Sequence, residues 1–154
     1  MRSPVVVDAS VALKWVITEP GSDAANDLLD AGDGLMLVAP EYLIGEVGNG
    51  LRKRVGQRVL SAAEAVEALD AVMDLELEFV TGTQRWARSL QDALTWGVTT
   101  YDALYVAVAL DLDAHLVTAD GRLLASARAA GLPVRGLTEP PSALGASQVP
   151  RPRT

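Results

Sequence analysis

Short β-branched runs alternate with longer amphipathic ones along this chain, and that alternation predicts its elements. Val5-Val6-Val7 reads as a first strand ending at Asp8, and Ala9 to Thr18 as a helix stopped by Pro20-Gly21. Ser22 or Asp23 caps a second helix through Ala31, and Gly32-Asp33-Gly34 turns the chain into a strand over Leu35 to Ala39. Pro40 stands at a permitted helix start, so the next helix is expected from Glu41 to about Gly56. Within it Gly45, Gly48 and Gly50 each cost up to about 1 kcal/mol of helix propensity, which points to tight packing. Ser61 with Glu64 forms a capping box that opens a helix to about Asp74, and Leu75 to Val80 alternates as a strand. Thr83 begins a helix that Gly97 ends. Ala103 to Leu110, entered through Thr99-Thr100-Tyr101-Asp102, is apolar around its whole circumference, the pattern of a buried helix. His115 to Thr118 follows as a strand, Arg122 to Ala130 as a helix closed by Gly131, and Pro133 to Leu137 as a last short strand.

Five short strands separated by helical crossovers imply a mostly parallel sheet covered on both faces, a three-layer α/β/α domain. With 154 residues there is chain for one core, and residues 1–137 are expected to hold it. Residues 138–154, rich in Pro, Ser and Arg, read as a mobile tail. A content of 49% apolar and 21% charged residues excludes a disordered chain. The lack of cysteine excludes disulfides, thiolate nucleophiles and Cys-based metal centres, and fits a reducing cytoplasm. Asp8 and Lys14 interrupt the first apolar run, and no stretch approaches the roughly 20 residues of a membrane span, so neither secretion nor insertion is expected.

The net charge of -7 speaks at first against a polyanionic partner. Its distribution changes that picture, because residues 1–120 carry 19 acids and 8 bases whereas residues 121–154 carry 1 acid and 5 bases. In open α/β sheets ligands bind outside the carboxyl ends of the strands. Asp8 stands there after the first strand and Asp120 after the fourth. Asp102 sits in the first turn of the apolar helix, and Glu46 inside the helix that follows the second strand.

Each acid has a plainer reading: Asp8 and Asp120 as caps of the helices after them, Asp102 as the acidic partner of a capping box begun by Thr99, Glu46 as an exposed helical acid. Their surroundings argue otherwise, since Glu46 lies in a glycine-rich, otherwise apolar segment and Asp102 borders the most apolar helix. Clustered carboxylates repel and take up protons unless a cation joins them. Mg²⁺ or Mn²⁺ prefers such oxygen ligands together with a substrate phosphate, so the set points to phosphoryl chemistry. His115 is the only histidine and reads as a surface or strand-end residue, not a zinc ligand or general base.

On the helix of Glu46, Asn49 and Lys53 follow at i+3 and i+7 on nearly the same face. Asn49 is placed to orient a water or a carboxylate. Lys53, with Arg52, Arg54 and Arg58, forms a basic stretch that reads either as a solvated helix end favoured by the macrodipole or as a contact for a phosphate backbone.

Four pieces, V-V-V-D-A-S-V, E-V-G-N-G-L-R-K, T-T-Y-D-A-L-Y-V-A-V-A-L and L-V-T-A-D-G-R-L, stand in this order between Val5 and about Leu137. Together they resemble the PIN domain and, within it, the VapC-type ribonuclease toxins of bacterial and archaeal toxin–antitoxin pairs. The resemblance implies that Asp8, Glu46, Asp102 and Asp120 form an acidic metal site, with Asp8 and Asp102 the most direct Mg²⁺ ligands. It puts Thr118 at a supporting hydroxyl position and Asn49 at the polar position after the glutamate. It further implies metal-dependent hydrolysis of RNA by an activated water, a homodimer, and inhibition by a small antitoxin whose C-terminal segment wraps the toxin.

Two rivals use similar acids. A receiver-like phosphoaspartate domain needs a further acidic pair near the first strand and a lysine near the last, and a haloacid-dehalogenase-type phosphatase also needs a downstream lysine. The only lysines are Lys14 and Lys53. A catalytically idle PIN-like scaffold is the third reading, against which the complete acidic quartet argues.

Overall fold

The computed structural model describes residues 1–139. The elements run β1 (Ser3–Val7), α1 (Ala9–Val16), α2 (Ser22–Asp30), a 3-10 turn (Gly32–Gly34), β2 (Leu35–Pro40), α3 (Leu43–Gly56), α4 (Ala62–Met73), β3 (Glu78–Val80), α5 (Trp86–Trp96), α6 (Thr100–Asp111), β4 (His115–Thr118), α7 (Gly121–Ala129) and β5 (Val134–Gly136). The strands form one sheet in the order β3-β2-β1-β4-β5, and each neighbouring pair is parallel. The expected three-layer α/β/α fold is therefore present. On the helical layers α1 packs with α2, α3 and α4, while α5 packs on α6, which lies across β1, β2 and β4.

β1 is the central strand, paired with β2 through Val5↔Leu37 and with β4 through Val6↔Leu116. Covered on both faces, it has no polar alternation: Val5, Val6 and Val7 are all buried. The chain leaves β1 toward β2 on one side and returns to β4 on the other, so the crevice between the carboxyl ends of β1 and β4 is the topological switch point of the sheet.

Most boundaries fall within a residue or two of those expected, and three differ for physical reasons. Pro40 does not start a helix; it closes β2, paired with Val80, while the Glu41 amide donates to the Val80 carbonyl and α3 begins at Leu43. The strand expected from Leu75 shrinks to Glu78–Val80, because the Leu75 amide still bonds the Val72 carbonyl at the end of α4. Leu75 and Leu77 alternate because they are half-buried, not because they pair. The helix expected from Thr83 begins at Trp86, after a turn in which the Trp86 amide donates to the Thr83 carbonyl.

The capping box of Ser61 and Glu64 is formed in both directions. Of the glycines of α3, Gly50 carries the tight packing: a Cβ there would stand 2.7 Å from Cδ1 of Leu13 on α1, whereas Gly45 has nothing within 4 Å. No single helix among the described residues is long and apolar enough to cross a membrane; α5 and α6 together have the composition but are bent by 106°. Apart from Thr138 and Glu139, the Pro-rich tail lies outside the described residues.

Candidate active site

Because all strands are parallel, their carboxyl ends share one edge of the sheet, and Asp8 stands on that edge in its central crevice. It is 4% exposed. Its carboxylate caps α1 by accepting the Val11 amide at Oδ1. The Ser10 hydroxyl donates to the same oxygen at 2.5 Å, and the Thr118 hydroxyl, from the end of β4, donates to Oδ2. Ser10 in turn accepts the Ala119 amide at 2.9 Å, and Thr118 accepts the Asp120 amide at 3.0 Å. These bonds sew the end of β1 to the end of β4 and fix both oxygens of Asp8.

Burial pushes the Asp8 carboxyl up to about 6, against the pull of the Ser10, Thr118 and Val11 donors, and the charge of Asp102 adds to the rise. Asp102 lies in the first turn of α6, whose N-cap Thr99 accepts the Asp102 amide at 3.0 Å. Burial also raises Asp102, with the nearby charge of Asp120 contributing. Asp120 caps α7, its Oδ1 accepting the amides of Arg122 at 2.9 Å and Leu123 at 3.3 Å. The plainer cap readings of Asp8 and Asp120 are thus correct, and they are also the means by which the two carboxylates are held at the sheet edge.

Glu46 is not an exposed helical acid. It is half-buried on the first turn of α3 and accepts the Tyr105 hydroxyl at 2.8 Å. Burial raises its carboxyl, and although the Tyr105 donor works against this, Asp102 and Asp8 add to it. The four acids therefore feel one another across one face, supplied by four separate segments. They do not form a closed cage: among the described residues, no three acidic or imidazole side chains converge to hold an ion. One oxygen of Glu46 is engaged with Tyr105 and one of Asp120 with backbone amides, while the second oxygen of each has no such partner among the described residues.

The donor set fits a hard divalent ion all the same. It is made of carboxylates alone, and Asp8, Glu46 and Asp102 are each raised by burial and by a neighbouring acid, the electrostatic condition that a cation relieves. His115 takes no part, since it begins β4 at the opposite edge of the sheet, in register with Val5.

Asn49 is exposed on α3, with no side-chain hydrogen bond among the described residues. Arg52 and Lys53 are exposed, and Lys53 lies about 10 Å along the helix axis from Glu46, away from the acid edge. The basic stretch is not uniform: Arg54 turns inward to Glu19 at 3.0 Å, and Glu19 also holds Lys14 at 3.1 Å.

Three residues of the site escaped the sequence reading. Ser10 lies inside the V-V-V-D-A-S-V piece, and its i+2 spacing from Asp8 was the available signal. Tyr105, 1% exposed, passes in the sequence for one more apolar residue of α6. Tyr42 precedes α3, packs edge-on against Tyr105 with ring centroids 5.2 Å apart, and donates its hydroxyl to the Tyr101 carbonyl at 2.6 Å. Burial, and then the charges of Glu46, Asp102 and Asp8, keep the Tyr42 hydroxyl protonated.

The PIN domain profile matches residues 5–129, a span that contains all four acids. Ribonuclease VapC1 of Mycobacterium tuberculosis, from strain CDC 1551 / Oshkosh and from strain ATCC 25618 / H37Rv, is 41% identical over 99 residues, covering 62% of this chain and 68% of that protein. Among solved structures, the crystal structure of PAE2754 from Pyrobaculum aerophilum aligns with a TM-score of 0.67 at 24% identity, over 89% of this chain and 92% of that one, a likeness of fold. Both the sequence profile and the acids at the switch point lead to one assignment: the chain belongs to the PIN domain family, with VapC ribonucleases among its relatives.

Proposed function

We propose that this protein is a divalent-metal-dependent endoribonuclease, the toxin of a toxin–antitoxin pair, which hydrolyses RNA phosphodiester bonds with water as the nucleophile. The observation that carries the reading is Asp8, a buried carboxylate with both oxygens fixed by Ser10 and Thr118 and with Asp102 and Glu46 within electrostatic reach. Asp8, Asp102, Glu46 and Asp120 are the residues that would hold Mg²⁺, or Mn²⁺ in its place. When bound, the ion neutralises the acids, lowers the pKa of a coordinated water and offsets the charge of the phosphate and of the departing oxygen.

The chain's own groups do the rest. Ser10 and Thr118 hold Asp8 in one orientation, so its oxygens need no reorganisation when the site is loaded. Tyr105 fixes one oxygen of Glu46 and leaves the other free. Arg52 and Lys53 would contact the substrate backbone farther along α3, and Asn49, at i+3 from Glu46, would orient a water or a carboxylate. Cleavage leaves a 5′-phosphate and a 3′-hydroxyl. The resemblance to VapC-type toxins supports reading the protein as a homodimer held inactive by a cognate antitoxin, and its lack of cysteine supports a reducing cytoplasm.

The test is to incubate the purified protein with structured RNAs in Mg²⁺ or Mn²⁺ and then in EDTA, beside Asp8→Asn. Cleavage that needs the ion and the carboxylate supports the reading; cleavage that persists in EDTA or in the variant overturns it. Expression of Asp102→Asn without the antitoxin should relieve growth arrest, and arrest that continues with a folded variant removes Asp102 from the site.

A further inference from the structure

The chain has seven aromatic residues, three Trp, three Tyr and one Phe. Four of them meet beside the acids. Tyr42 stands 5.3 Å from Trp86 and 5.3 Å from Tyr101, and Trp86 meets Tyr101 edge-on at 5.7 Å, while Tyr105 joins the group through Tyr42 and reaches Glu46 with its hydroxyl. The acid site and the ring cluster therefore share a wall.

On the other side of that wall a cavity of about 450 Å³ opens to solvent at the carboxyl ends of β2 and β3. Its size falls within the roughly 300–1,000 Å³ of ordinary small-molecule sites. Tyr42, Trp86 and Leu104 give it an apolar side, and Glu41, Thr81 and Thr83 give it a polar lip. Gly82, at φ +109°, lets the chain turn between the two threonines. β2, whose carboxyl end carries the cavity, is the direct neighbour of β1, at whose end Asp8 stands.

Charge decides what fits. Among the described residues no lysine or arginine lines the cavity and one carboxylate does, so it repels a phosphate and accepts a neutral group that donates hydrogen bonds. Flat aromatic faces together with hydroxyl and carboxylate acceptors suit a nucleobase, which stacks on rings and presents donors at its edge. We propose that this cavity seats one base of the substrate RNA, that of a nucleotide flanking the phosphate at the acids, and that Trp86 with Tyr42 selects substrates unpaired at that position. The inference rests on the nuclease reading above.

Two measurements test it separately from catalysis. In EDTA, 2-aminopurine riboside, a fluorescent nucleoside without phosphate, is titrated with the wild-type protein, Trp86→Ala and Trp86→Phe. Saturable quenching by wild type, lost in Trp86→Ala and kept in Trp86→Phe, is expected; no saturable quenching by wild type overturns the proposal. In Mg²⁺, single-stranded RNAs with and without one abasic nucleotide beside the cut are compared. Removing the base should lower kcat/KM by roughly 5- to 150-fold for wild type, the usual worth of a base–aromatic stack, and by little for Trp86→Ala.

If RNA is cut and the missing base costs both proteins equally, the cavity is not a base site although the nuclease reading stands. If the nucleoside is bound at Trp86 and no RNA is cut, the base site stands and the nuclease reading falls. Trp86→Ala that changes the sedimenting mass of the protein without affecting quenching assigns the cavity to a second copy of the chain and overturns the proposal.

Discussion

Helices α1 and α3 each carry a charged cluster at both ends, and the two clusters are built on opposite terms. At one end Asp8, capping α1, and Glu46, in the first turn of α3, bring like charges together with Asp102 in a buried crevice. At the other end Lys14 on α1 and Arg54 on α3 close on Glu19 at 3.1 and 3.0 Å, and Lys14 also donates to the Pro20 carbonyl at 2.8 Å. Burial raises Glu19 as it raises Asp8, but the hydrogen bonds and charges of Arg54 and Lys14 outweigh it and bring Glu19 below its ordinary value. One pair of helices thus spends stability at the acid end, where the chemistry is proposed, and recovers some at the Glu19 end, with Gly50 packed on Leu13 between them.

The sharpest way to break the contrast is Asp8→Asn. RNA cleavage should fall to background, while the metal-free fold gains. Asp8 titrates near 6 in the fold against 3.8 ordinarily, so its contribution is fully present below about pH 4 and is lost as the pH rises through 6. At 1.36 kcal/mol per unit the charged form costs on the order of 3 kcal/mol, and urea melts in EDTA should show the variant ahead by up to that amount at about pH 7.5 and level with wild type at about pH 4.

Glu19→Gln should do the reverse. Its stabilisation is present above the unfolded carboxylate pKa and is lost as the pH falls through the lower folded value. Near neutrality the variant should melt lower by about 1–3 kcal/mol, between the limits for exposed and buried pairs, with cleavage unchanged. Urea melts that fall equally at acid and neutral pH would show that Glu19 acts through packing and not through charge.

Within the acid cluster, Thr118→Val removes the donor to one oxygen of Asp8 with little change of volume. Cleavage should drop by about 10- to 100-fold with Mg²⁺, as for other groups that orient a metal ligand. An unaltered Mg²⁺ requirement and rate would mean that Ser10 and the Val11 amide suffice. The smallest effect concerns the exposed bases just before Arg54. Arg52→Ala with Lys53→Ala should lower the salt dependence of RNA binding by up to about 0.7 per charge, and an unchanged slope would return both to ordinary surface.

Legibility in the sequence followed the distance over which each feature is built. The caps of α1, α4 and α7 depend on residues two or three apart, and Asp8, Ser61 and Asp120 could be read directly. Local spacing also marks α6 as buried. The inward turn of Arg54 could not be read, because its partner is 35 residues away. Nor could the ring cluster, whose members come from the starts of α3 and α5 and the first half of α6 and carry no motif in common. β3 was overestimated for a related reason: alternation reports burial, and only Glu78–Val80 finds a neighbour to pair with.

The bond from Thr118 to Asp8 spans 110 residues of sequence. During synthesis the carboxylate emerges early, and the hydroxyl that orients it emerges only after β2, β3 and their helices have been made. β1 must likewise wait for β4 before its second edge is paired. Non-local pairings of this kind are the slow ones. A chain still on the ribosome, or one cut short before β4, carries both Glu46 and Asp102 and yet lacks the donor to the second oxygen of Asp8. The order of the strands therefore delays assembly of the acid site until nearly the whole domain has been made.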